Sequence, residues 1–143
     1  MKTTSQIYCK FDIEGTHCWS DCPHDDVSYL QHNHRHIFKF VVYMNVDHQN
    51  RDVEFIRLGH ELKKHLVSKF WDDRLNLCVF GYKSCEMLAQ MIIEYLIFNY
   101  SEHPITVDVS EDGENGGIVT FTPPNIHEEN QRSYGNNTYT FNM

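Results

Sequence analysis

No apolar run in the chain approaches the roughly 20 residues that span a bilayer. The start, MKTTSQIYCKF, lacks the apolar stretch of a signal peptide, so a cytoplasmic setting with no membrane partner is expected. Basic residues are also short: Lys plus Arg total 12 against 20 Asp plus Glu, a net charge of −8. A nucleic-acid backbone or an anionic membrane surface needs a basic footprint, so neither is expected as the main partner. The five cysteines cannot all pair, and without a secretory start they read as reduced thiols. No internal repeat of useful strength occurs. What is abundant is histidine. Ten are present, and His17, His24, His32, His34 and His36 fall in one stretch of twenty residues. Histidine is the commonest metal ligand and the acid–base group of neutral pH, so that stretch is where chemistry is sought.

At 143 residues the chain has the size of one ordinary domain. Such a domain buries roughly two-thirds of its unfolded surface and needs no metal or disulfide merely to hold a core. Ile7, Cys9, Phe11 and Ile13 alternate, which predicts a half-buried strand. After a loop from Gly15 to His32, HIFKFVVYMNV places Phe38, Phe40, Val42, Met44 and Val46 on one face of a long strand. From Glu54 the period lengthens. Phe55, Leu58, Leu62 and Leu66 form the stripe of an amphipathic helix ending near Phe70. A connector, WDDRLNLCVFGYK, leads to a second helix capped by Ser84, with Glu86 in its first turn and Leu88, Met91, Ile92, Tyr95 and Leu96 inside. ITVDV and GIVTF read as short strands around the turn EDGENGG. The order strand, strand, helix, helix, strand, strand predicts an α+β domain over residues 1–122: an antiparallel four-stranded sheet with both helices on one face. Residues 123–143 lack periodicity and read as a flexible tail.

His34 and His36 lie two apart entering a strand, so their imidazoles share a face and can converge on one ion. His17, ending the first strand, can join them if the two strands pair as a hairpin. Three His with an open fourth position is the pattern of a catalytic zinc site. The competing reading is that one or two of these His fill polar loop positions. Cys18 and Cys22 match a zinc-ribbon template poorly, although Cys22 near a metal would gain thiolate character and could act as base or nucleophile. Glu86 singly reads as a helix-dipole partner, and Glu111 as a solvated strand end.

Taken in order, FDIEGTH ending at His17, HRH from His34 to His36, VEF with Glu54 and Phe55, SCEMLA with Glu86 and VDVSE ending at Glu111 resemble the 6-pyruvoyl-tetrahydropterin synthase and 6-carboxytetrahydropterin synthase family, built on the tunnelling fold. The likeness covers about residues 7 to 122; each motif is short, and specificity lies in their combination. It implies Zn2+ on His17, His34 and His36, recognition of a pterin's amidine-like edge by Glu111, and Glu86 at a neighbouring pocket position. It also implies a homo-oligomer with pockets between subunits. The chain departs from the family before HxH, where VSYLQHN carries no thiol, and at WDDRLN, which stands where the family has an Asp-His pair. The candidate proton carriers are therefore Cys22, His32 and Asp73. Two functions are expected from this pattern, the enzyme ahead of the binding protein. One is a zinc-dependent lyase or synthase acting on a reduced pterin or related purine-derived substrate. The other is a non-catalytic protein that captures a pterin- or nucleotide-like ligand in the same pocket.

Overall fold

The computed structural model describes residues 1–124. Its elements are β1 (Ser5–His17), a 3-10 segment (Asp25–Gln31), β2 (His34–Val46), α1 (Phe55–Phe70), β3 (Trp71–Asp72), β4 (Leu77–Gly81), α2 (Cys85–Tyr100), β5 (Ile105–Glu111) and β6 (Asn115–Phe121). The strands form one six-stranded sheet in the order β3-β4-β1-β2-β5-β6.

This corrects the expected antiparallel four-stranded sheet in two respects. The connector WDDRLNLCVFGYK contributes two further strands, and β4 runs parallel to β1, so the sheet is mixed. The long loop after β1 also adds the 3-10 segment to the two α-helices. The physical reason lies in LCVFG. It is only five residues long and buries Leu77, Cys78 and Phe80 without clean alternation, so it carries no period-two signal. Its bounds are set by Asn76 (φ 59°) and Gly81 (φ 64°), both in the left-handed region that turns a chain sharply. The tail predicted for residues 123–143 lies, from 125 onward, outside the described residues.

The central hairpin fixes everything else. β1 and β2 pair over their full length, Ser5 opposite Val46 through His17 opposite His34. Odd residues of β1 and even residues of β2 therefore share the inner face, where Phe11 stacks on Phe40 at 4.8 Å and 7°. A slip of one residue would turn this whole set outward, so the apolar alternation enforces the register. The outer face carries cross-strand polar pairs, Arg35 with Glu14 (2.7 Å) and Lys39 with Asp12 (3.3 Å). Both α-helices cover the inner face, α1 over β1 and β4, α2 over β5 and β6. Leu58, Leu62 and Leu66 of α1 and Leu88, Ile92 and Leu96 of α2 join Phe38, Phe40 and Val42 in a single core.

Each α-helix starts at a side-chain cap. Glu54 accepts from the N–H groups of Ile56 (3.1 Å) and Arg57 (2.8 Å), which accounts for the acid in VEF. Those bonds hold its carboxyl below the usual glutamate range. Ser84 Oγ accepts from Met87 N–H at 3.2 Å, as its position in the sequence predicts. No helix among the described residues is long and apolar enough to cross a membrane.

Candidate metal centre

The same register that builds the core assembles the site at one end of the inner face. His17 lies directly across from His34, while His36 faces Gly15, which places no side chain between the rings. On the far side of β2, Glu111 pairs with Phe38 and so projects from the same face. The imidazole centroids are 4.5 Å (His17–His34), 5.1 Å (His34–His36) and 5.6 Å (His17–His36) apart. Phe38 closes the floor, its ring edge-on to His17 at 4.9 Å and to His36 at 5.8 Å.

Each ring is oriented through Nδ1. His17 Nδ1 donates to the Lys83 carbonyl (2.8 Å) and His34 Nδ1 to the His32 carbonyl (2.9 Å). His36 Nδ1 donates to Asp112 Oδ2 at 2.7 Å. Carbonyl oxygens only accept, so the first two Nδ1 atoms carry the proton. Asp112 is held below the usual carboxylate range, first by the Ile37 N–H and then by His36, so it too is an acceptor. An imidazole whose single proton sits on Nδ1 presents a lone pair at Nε2. Burial pushes the pKa of His17 down, the Lys83 carbonyl and Glu111 pulling the other way, which favours the neutral ring.

All three Nε2 atoms are buried and have no hydrogen-bond partner among the described residues. Glu111 stands at the same point, Oε1 2.8 Å from His17 Nε2 and Oε2 3.4 Å from His36 Nε2, but out of line for a hydrogen bond. One ligand atom from each of His17, His34, His36 and Glu111 lies within 4.8 Å of the other three, so this group can hold a metal ion. The Nδ1 acceptors are the outer bonds that typically fix the orientation of metal-ligating imidazoles.

A cleft of about 490 Å³ opens beside the four side chains. Trp19, Leu30, Tyr82 and Met87 line it with apolar surface. Glu86 also lines it from the first turn of α2, and its side chain lies against β6 at Gly117. A Cβ on Gly117 would fall 2.6 Å from Glu86 Oε1, so glycine leaves the carboxylate its place.

The structure brings five of the eight candidate residues to this end of the sheet: His17, His34, His36, Glu86 and Glu111. Cys22 and Asp73 are elsewhere. Cys22 is buried beneath the 3-10 segment, its Sγ directed at the carbonyls of Val27 (3.7 Å) and His24 (3.8 Å). Asp73 sits in the β3–β4 turn and accepts from the Trp71 indole N–H at 2.8 Å. His32 contributes its carbonyl to His34, and its ring is not in the cluster. Sequence reasoning set Cys18 aside and missed Trp19 and Tyr82, and all three line the cleft. Only the pairing of β4 with β1 brings the segment around Tyr82 beside His17, and no local pattern announces that pairing.

No family model matches the chain, and no curated protein matches it.

Proposed function

We propose that the chain holds zinc on His17, His34 and His36 and captures a planar pterin- or purine-like small molecule in the adjoining cleft. The observation that carries this reading is the set of three buried Nε2 atoms, each ring fixed through Nδ1, converging without a partner among the described residues. A single bound ion would match all three Nε2 atoms and the carboxylate at once, and imidazole donors suit zinc. The resemblance to the pterin synthases supports the same zinc ligands and extends the reading to a homo-oligomer, whereas the pterin edge that it assigns to Glu111 passes here to Glu86, because Glu111 stands against His17 and His36. Bound zinc would supply Lewis acidity toward a carbonyl or hydroxyl oxygen of the ligand. The chain's own residues do the rest. Trp19 and Tyr82 line the cleft with aromatic surface for a flat ring, and Glu86 can accept two N–H bonds from a 2-amino-4-oxo edge.

Capture stands ahead of catalysis because Cys22 and Asp73, the proton carriers expected from the sequence, are engaged away from the cleft. The lyase reading keeps one specific support. Cys18 lines the cleft next to His17 and could carry a proton there. Mass spectrometry of dihydropterin incubated with zinc-loaded protein separates the two. Ligand recovered intact from the complex supports capture, and a converted product that disappears in Cys18→Ala supports the lyase. Glu86→Ala is expected to weaken binding of a fluorescent pterin at least about tenfold, in line with loss of a charge-assisted bond pair. Unchanged affinity would remove Glu86 from the site.

A further inference from the structure

We infer that Glu111 supplies a fourth protein ligand, closing the resting metal centre, and that a compound in the cleft reaches the ion only by displacing this carboxylate. The inference rests on the metal reading above and adds to it a state of the site. Two consecutive carboxylates bracket His36: Asp112 holds its Nδ1 at 2.7 Å, and Glu111 Oε2 stands 3.4 Å from its Nε2. The other Glu111 oxygen reaches His17 Nε2 at 2.8 Å, so the carboxylate straddles the two rings. Neither contact has hydrogen-bond geometry. An anionic oxygen set against an imidazole lone pair at such a distance is repulsive, and a metal ion between them makes donors of both. The strand register fixes this placement. Glu111 pairs with Phe38, two residues from His36, and opens a β-turn closed by the Glu114 N–H, with Asp112 at φ 57°. Four protein donors complete the usual coordination of a structural zinc, whereas a catalytic ion keeps one position open. Yet the Glu111 side chain is 29% exposed and lines the cleft, so an incoming ligand can compete for its place.

The test uses the full chain loaded with Co2+, whose visible d–d bands report coordination directly, with azide as the probe for an open position. Wild-type protein is expected to show intense four-coordinate bands that azide leaves unchanged. In Glu111→Gln and Glu111→Ala the bands should shift, become azide-responsive, and accompany a fall in Co2+ affinity of at least about tenfold. Glu114→Gln, an equal change of charge in the neighbouring turn, should behave as wild type. Wild-type bands that respond to azide as the variants do would overturn the closed centre. Equal affinity and identical bands in all forms would overturn it as well. A wild type that takes up no more Co2+ than His34→Ala would instead overturn the metal reading itself, so the two failures are distinct.

Discussion

Gly15→Ala strikes the fold and the site together. The added Cβ would lie 2.6 Å from Phe80 Cε2 and 3.0 Å from the Cys78 carbonyl oxygen. Ordinary contact begins near 3.4 Å, so ring or strand must move by about 0.8 Å, the difference of the two carbon–carbon distances. Phe80 has little freedom to yield. It is 2% exposed and packs edge-on against Phe38 (5.0 Å) and Phe70 (5.2 Å). Overpacking of this kind costs about 2 kcal/mol, which lowers the melting temperature by about 4–8 °C in a domain of this size. Because Gly15 faces His36 on β2 and Cys78 on β4, the displacement also spreads to the histidine cluster and weakens metal binding. Calorimetric melts of apo and metal-loaded protein measure both effects. Adding Phe80→Leu should restore part of the loss, with a coupling of about 1 kcal/mol in the double-mutant cycle. A Gly15→Ala protein that melts and binds metal as wild type, with zero coupling to Phe80, would refute the claim that the close approach at Gly15 shapes the site.

Leu62→Ala empties a fully buried position and should cost about 2–5 kcal/mol in denaturant unfolding without altering which metal binds. The folded pKa of Glu54 is depressed, so its contribution to stability is present above the unfolded glutamate value and is lost as pH falls through the folded one. The stability gap between wild type and Glu54→Gln, measured by urea unfolding, should therefore be constant near neutrality and narrow below about pH 5. Burial pushes Cys9 and Cys78 up to about 11 and Cys85 up to about 12, while Cys18 is only half-buried. Iodoacetamide at pH 8 should thus label Cys18 first in a peptide-mapping time course, with Cys9, Cys78 and Cys85 protected until the protein unfolds. Gly117→Ala crowds Glu86 and should weaken pterin binding while metal content stays at the wild-type level.

The parts of the fold legible in the sequence are those whose periodicity spans several turns or pleats. The alternation of Phe38, Phe40, Val42 and Met44, and the stripe Leu58, Leu62, Leu66, are local signals that burial merely enforces. The same parity argument puts His34 and His36 on one face, and pairing at the hairpin end adds His17. β3 and β4 were not legible because two- and five-residue strands present too little pattern, and parallel pairing of β4 with β1 joins segments some sixty residues apart. That one non-local contact determines the cleft. It carries Tyr82 and the Lys83 carbonyl to His17, and with them part of the lining of the cleft. Glu111 could be placed at a strand end from its turn, but its approach to the imidazoles depends on which residue of β2 it faces. The loop holding Cys22 shows the opposite limit. A thiol near histidines in sequence is turned away in space, because the 3-10 segment offers it carbonyl oxygens and burial.

Whether His17, His34 and His36 form a metal centre is decided by elemental analysis of untagged protein purified without added metal, wild type beside His34→Ala. About one zinc per chain in the wild type, lost in a variant that remains folded by circular dichroism, is the predicted result. A folded wild type free of metal, and unable to take up zinc on addition, would contradict it.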